Sequence, residues 1–228
     1  MRFSYAHTFC PSTPPRQRHP SRENARALEN AQSLASASLR DMLLDVTHPW
    51  HGLPSRPSND ATTIHVVIEI PQGSKVKYEL DKPTGLIRVD RVLHSSVIYP
   101  ANYGFIPRTY SPDEDPLDVL VLCSEPVMPL SIVVGRPIGV MQMLDSGKLD
   151  DKIIAVTVGD PAFADYEDIS QLPRHVMREM GRFFMDYKKN EDKEVSVEVP
   201  MGATDAQKVI VEAIELYRRE ENTLRGWK

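Results

Sequence analysis

Ile64-His-Val-Val-Ile-Glu-Ile70 sets apolar residues at 64, 66, 68 and 70, the period of two expected of a half-buried strand. Pro71-Gln-Gly-Ser74 reads as a turn, after which Lys75 to Leu80 alternates again, with Val76, Tyr78 and Leu80 on one face. Lys75, Lys77 and Glu79 share the other face. Asp81-Lys-Pro-Thr-Gly85 is a second turn and Leu86 to Val92 a third strand, so the three runs read as an antiparallel meander. Val119 to Leu122, Ile132 to Met143 and Lys152 to Val158 add further β-rich runs. Two helices are expected near the end. Pro173 to Lys189 places Val176, Met180, Phe183, Phe184 and Tyr187 on one helical face. Thr204 with Gln207 resembles a capping box, followed by Ala206, Val209, Ile210, Ala213 and Tyr217 at helical spacing. Strands first and helices last predict an α+β fold, a small closed barrel flanked by helices.

The chain has 228 residues, and its 27 Lys and Arg against 32 Asp and Glu give a net charge of −5. That balance argues against a protein built to grip a nucleic-acid backbone. No run approaches the eighteen or so apolar residues of a membrane span. Cys10 and Cys123 are too few and too distant for a disulfide framework or a structural zinc site. Residues 1–47 differ from the rest: they contain no lysine, and the first forty hold six arginines against Glu23 and Glu29. This segment reads as a disordered tail or an organellar transit peptide, with residues 48–228 as the folded domain. The cytoplasm is the expected compartment, and a plastid or mitochondrion the alternative.

Asp113-Glu-Asp-Pro-Leu-Asp118 precedes the apolar run Val119-Leu-Val-Leu122. Four carboxylates in six residues repel one another, and a hard cation such as Mg²⁺ would relieve them by taking their oxygens. An acidic surface turn is the plain alternative. An EF-hand fails on spacing, because Asp118 stands where glycine is needed and Ser124 where glutamate is needed. Asp145-Ser-Gly-Lys-Leu-Asp150-Asp151-Lys152 repeats the acidic theme, either as a charged hairpin or as a second arm of the same site. Around these acids stand Lys77, Arg91, Tyr99, Tyr103, Tyr187 and Lys188. Lysine and arginine bind phosphate by charge-assisted hydrogen bonds, and phenols can donate while staying neutral.

Val67-Ile-Glu69-Ile-Pro71, Lys77-Tyr-Glu79, Val89-Asp-Arg91, Tyr99-Pro-Ala-Asn-Tyr103-Gly, Asp113-Glu-Asp115-Pro-Leu-Asp118-Val and Asp150-Asp-Lys152 occur in that order. Together they resemble the family I soluble inorganic pyrophosphatases, and His48-Pro-Trp-His51 resembles the plant and algal members. The resemblance implies a five-stranded barrel of oligonucleotide-binding (OB) type. It also implies hydrolysis of pyrophosphate to two phosphates with several Mg²⁺ ions, with homo-oligomerisation as a further expectation. It further implies that Asp113, Asp118, Asp145 and Asp150 are metal ligands, with Asp118 bridging two ions. Asp115 would be the base beside the water and Tyr99 a proton donor. Lys77, Arg91, Tyr103, Tyr187 and Lys188 would grip the phosphates, Lys152 would tune the acidic loop, and Glu69 and Glu79 would line the cavity. Two residues depart from the family's pattern. Glu114 stands where a small or short residue is usual, and Leu130 where the turn often carries glycine.

Two other classes compete. A non-catalytic OB-type module would bind single strands through aromatic platforms, but aromatics are only 7% here and the candidate site is acid-rich. A phosphomonoester hydrolase with a covalent aspartate would place that residue after an apolar strand, whereas Asp113 follows Tyr110-Ser-Pro112.

Overall fold

The computed structural model describes residues 48–58, 60–145, 147–191 and 195–226, without the side chains of Asp145 and Glu191. The expected tail, residues 1–47, lies outside them. Six strands come first: β1 (Ile64–Ile70), β2 (Val76–Asp81), β3 (Leu86–Val92), β4 (Asn102–Phe105), β5 (Asp118–Leu122) and β6 (Ile132–Met141). They are followed by β7 (Met143–Asp145), β8 (Lys148–Leu149) and β9 (Lys152–Thr157). Helix α1 (Arg174–Tyr187), β10 (Val195–Val197), β11 (Met201–Gly202) and helix α2 (Ala203–Leu224) complete the order.

Five strands close into a mixed barrel in the order β1-β4-β5-β9-β6, because β6 pairs back onto β1. All of these pairings are antiparallel except β5 with β9, which is parallel. Closure leaves these strands no free edge, and β5 and β9 are covered on both faces. Leu120, Leu122, Ile154 and Val156 pack with Met180, Phe183 and Phe184 of α1. Their neighbours Val119, Val121, Ile153 and Ala155 pack with Ala206, Ile210 and Ala213 of α2. Burial on both faces is why these strands read as continuous apolar runs. Each such aliphatic side chain contributes about 1.5–3 kcal/mol on burial. No helix among the described residues is long and apolar enough to cross a membrane.

Two expectations are corrected. The meander does not form as a single sheet: β2 and β3 pair with each other, but β1 spends its edges on β4 and β6. Both edges of β1 are filled, with Val67 registered against Phe105 on one side and Ile132 on the other. The β2–β3 hairpin therefore stands as a separate flap. The capping box of α2 is not used either. The cap is Gly202, and Asp168 Oδ2 accepts from the Ala203 N–H at 2.9 Å. A Cβ on residue 202 would fall 2.5 Å from that same Asp168 oxygen, so a larger residue there would push against the capping carboxylate. Gln207 is occupied elsewhere, accepting from Arg56 Nη2 at 2.8 Å.

Candidate active site

The parallel pairing of β5 and β9 registers Asp118 opposite Lys152, so two residues far apart in sequence become neighbours at one end of the barrel. Asp150 precedes Lys152 by two residues, and the 106–117 loop folds Asp113 back onto the same place. Carboxylate oxygens of Asp113, Asp118 and Asp150 all lie within 4.8 Å of one another. Lys152, 2% exposed, is ion-paired with both Asp118 and Asp150. Tyr103 on β4 donates its phenol proton to Asp118.

One ammonium cannot balance three carboxylates. At these distances each like-charge pair costs roughly 3–4 kcal/mol at an effective dielectric constant of about 20. Burial, then the charges of Asp118 and Asp150, pushes Asp113 up to about 7. Burial raises Asp118 as well, and Lys152 only partly offsets this. Burial pulls the Lys152 ammonium down, but the two carboxylates outweigh it and hold its pKa above the ordinary value. Glu69, buried on β1, is pushed up to about 8 by burial and by the Asp118 charge. Its carboxylate accepts from the Leu80 N–H at 2.7 Å, tying the hairpin to the barrel. A cluster with net negative charge and oxygen donors only suits a hard divalent cation, which takes carboxylates and keeps water.

The hairpin walls a cavity of about 490 Å³ whose lining includes Glu69, Lys77, Tyr103, Asp115 and Asp118. Lys77 Nζ lies 2.5 Å from Glu79 Oε1 and 3.3 Å from Asp90 Oδ2. Arg91, on the neighbouring strand, is ion-paired with Asp90. Burial would lower the Lys77 pKa, but Glu79 and Asp90 leave it above the ordinary value. The wall thus offers cations already balanced by acids. An incoming polyanion must share them with those acids.

A layer of aromatic rings backs the cluster. Tyr99 stands edge-on to Tyr103 at 5.6 Å and lies 4.7 Å from Phe183. Tyr187, at the end of α1, stacks on Phe183 at 5.4 Å. Lys188 caps that helix with its ammonium 5.1 Å from the Tyr187 ring. Tyr99 is only 2% exposed and borders a different cavity, between α1 and the segment before β4. Burial holds the Tyr99 and Tyr103 phenols well above the usual range, so both keep their protons.

The structure therefore brings Asp113, Asp118, Asp150 and Lys152 into one cluster, with Tyr103 against it and Lys77 and Asp115 on the adjoining wall. Arg91, Tyr99, Tyr187 and Lys188 form the surrounding layer and do not line that cavity. Asp145 ends β7, and its side chain is outside the described atoms. Sequence reading missed Lys82, which lines the cavity and is ion-paired with Asp115. Its only sequence signal was a place in the Asp81–Gly85 turn. The two departures fall on strained backbone: Glu114 and Leu130 have φ of 73° and 65°, a left-handed conformation that favours glycine or asparagine.

The model of the family described as inorganic pyrophosphatase matches residues 66–218. The chain is 58% identical over 173 residues to soluble inorganic pyrophosphatase 2 of Chlamydomonas reinhardtii, covering 75% of this chain and 89% of that one. It is 54% identical over 188 residues to the soluble inorganic pyrophosphatase of Zea mays, covering 82% and 86%. The solved structure of inorganic pyrophosphatase from Thermus thermophilus aligns at a TM-score of 0.69 and 37% identity, covering 73% of this chain and 97% of that one.

Proposed function

The chain belongs to the inorganic pyrophosphatase family, and from that premise we propose how its residues hydrolyse inorganic pyrophosphate to two orthophosphates. The observation that carries the reading is the convergence of Asp113, Asp118 and Asp150 beside a cavity walled by Lys77 and Tyr103. In this reading Asp113, Asp118, Asp145 and Asp150 would hold Mg²⁺. When bound, Mg²⁺ ions neutralise the substrate's charge and acidify a water enough to serve as nucleophile near neutral pH.

The chain's own residues do the rest. Asp115 accepts the attacking water's proton at its carboxylate, a contribution of roughly 10²–10⁴-fold. Lys77 shares its donors with the phosphate oxygens from the cavity wall, and Tyr103 would turn its phenol proton from Asp118 to the phosphate. Arg91, Tyr187 and Lys188, in the surrounding layer, would have to swing toward the substrate to add their donors. Tyr99 remains the candidate proton donor in this reading, but it borders a different cavity and burial makes its phenol a weaker acid, so its proton would have to reach the leaving phosphate through the intervening aromatic layer. Lys152 keeps the acidic cluster from repelling itself apart. Bound cations let a net-acidic chain take a polyanion.

Residues 48–228 act as the catalytic unit in the cytoplasm, with a plastid or mitochondrion as the alternative if residues 1–47 are a transit peptide. Nucleic acid and membrane are not partners in this reading. Phosphate release from pyrophosphate, nucleotides and phosphomonoesters, with and without Mg²⁺, tests it. Release from pyrophosphate alone, and only with Mg²⁺, is expected. Ca²⁺ should not replace Mg²⁺, because it prefers more ligands at longer distances and is the weaker Lewis acid. Metal-independent release, or equal turnover with Ca²⁺, would overturn the mechanism.

A further inference from the structure

Lys82 joins three parts of the molecule that the reaction has so far left unconnected. Its ammonium is ion-paired with Asp115 and donates to the Glu114 carbonyl at 2.8 Å. It also lies 5.9 Å from the centroid of the Trp50 ring, within cation–π range. Its backbone carbonyl takes a hydrogen bond from His48 Nε2 at 2.8 Å. The direction of that bond is decided by the other ring nitrogen. His48 Nδ1 accepts from the Trp50 N–H at 3.2 Å, so Nε2 carries the proton and donates.

The turn that holds Lys82 is itself anchored to the root of the aspartate loop. Trp50 Nε1 donates to the Thr109 carbonyl at 2.9 Å, and the Arg108 N–H donates to the Trp50 carbonyl at 2.8 Å. The Thr109 hydroxyl then accepts from the Leu117 N–H at 2.9 Å, across the loop that carries Asp113 to Asp115. The hairpin turn fits against this assembly only because residue 85 is glycine. Its φ is 71°, and a Cβ there would fall 2.9 Å from Pro49 Cδ. The His48-Pro-Trp-His51 motif thus secures the backbone of Lys82 at one end and the aspartate loop at the other.

Stability alone does not explain the arrangement. The Lys82 and Asp115 side chains are 44% and 52% exposed, and an ion pair so open to water contributes about 0–1 kcal/mol. Orientation is another matter, since a half-exposed carboxylate with free rotamers spends little time aimed at a water. Two of the three ammonium donors are committed to this loop, to Asp115 and to the Glu114 carbonyl.

We propose that Lys82 is a positioning residue for the proton acceptor, fixing the Asp115 carboxylate toward the cavity, and that the His48–His51 turn serves to hold it there. The proposal rests on the reading of Asp115 as the base. Steady-state kinetics of the full chain with Lys82→Met, Asp115→Asn and the double variant test it. Lys82→Met should lower kcat by roughly 10- to 100-fold with KM within about twofold, and leave the thermal midpoint and Mg²⁺ affinity in place. The double variant should be no slower than Asp115→Asn, within about twofold, because Lys82 then has nothing left to position. Losses that multiply, a rise in KM at constant kcat, or weakened Mg²⁺ binding would overturn the role. Full turnover in Lys82→Met beside an impaired Asp115→Asn would overturn it alone. Full turnover in Asp115→Asn would overturn the base reading and this role together.

Discussion

Asp118 and Lys152 face each other across the parallel strands β5 and β9, carboxylate to ammonium, and the lysine also reaches Asp150. Strand register creates this contact. A one-residue slip of β9 would turn Lys152 to the opposite face and leave the acids without their internal cation. The Lys152 side chain is 3% exposed, so its pairing is screened far less than a surface ion pair would be.

Lys152→Met should therefore be costly in the absence of metal. Removing one partner of a buried charged group destabilises by about 3–5 kcal/mol, because the charges left behind stay uncompensated. Mg²⁺ should restore more stability to this variant than it adds to the parent protein, since the cation takes over the missing positive charge. Thermal unfolding with and without Mg²⁺ measures both effects. An unchanged midpoint in metal-free buffer would mean that the cluster relaxes or protonates at little cost.

Asp118→Asn and Asp115→Asn should separate metal binding from proton transfer. Losing the central carboxylate should weaken Mg²⁺ binding and nearly abolish turnover together. Asp115→Asn should keep most of the metal affinity and lower kcat by roughly 10²–10⁴-fold, or about 2.7–5.4 kcal/mol. An amide can still orient a water but cannot take its proton at neutral pH. Calorimetric titration of Mg²⁺ beside steady-state kinetics decides between the roles. Equal loss of metal in both variants would make Asp115 a ligand.

Leu130→Gly should leave stability unchanged or raise it, by up to about 1 kcal/mol. A non-glycine residue at φ of 65° costs about 1–2 kcal/mol, and glycine returns part of that as unfolded-state entropy. Leu130 is 41% exposed, so little burial is lost. Its N–H donates to the Ile68 carbonyl at 2.7 Å, and glycine keeps that bond. Urea unfolding of parent and variant gives the sign. A clear loss of stability would show that the Leu130 side chain contributes more than its backbone costs.

His51 should impose a pH dependence on stability. Burial, then the charges of His48 and Arg108, pulls its pKa from 6.5 to about 4. Its ring stacks on Trp50 at 4.6 Å, with Nδ1 2.8 Å from the Tyr217 hydroxyl. Above pH 6.5 neither the folded nor the unfolded chain protonates this ring, and its contribution is intact. As pH falls below 6.5 the unfolded chain binds a proton that the folded one refuses, so stability declines until about pH 4 and then levels. Midpoints between pH 7 and 5 should fall less steeply in His51→Asn than in the parent. Parallel curves would assign the pH dependence to other groups.

Four of the five barrel strands and both helices were legible because each is an amphipathic or doubly buried segment with its own period; β4, only Asn-Tyr-Gly-Phe, is too short to show one and was not expected. Met180, Phe183, Phe184 and Tyr187 lie buried on one face of α1, as their spacing predicts. The meander misled because a short turn after Ile70 favours local pairing, and nothing local reports that β4 and β6 compete for the same edges. The capping box of α2 misled for a similar reason: Asp168, 35 residues away, supplies the acceptor.

Local order and composition were enough to establish which chemistry the chain carries: clustered oxygen acids, phosphate-compatible cations and phenols, on an α+β frame. Those are properties of residue type and short spacing, and they survive in one dimension. Convergence was not. Asp113, Asp118 and Asp150 meet only because β5 and β9 pair in parallel, and Lys82 reaches Asp115 only because a flap that could have extended the sheet folds over the barrel mouth. Both depend on hydrogen bonds and packing between segments distant in sequence, and those contacts exist only once the barrel has closed.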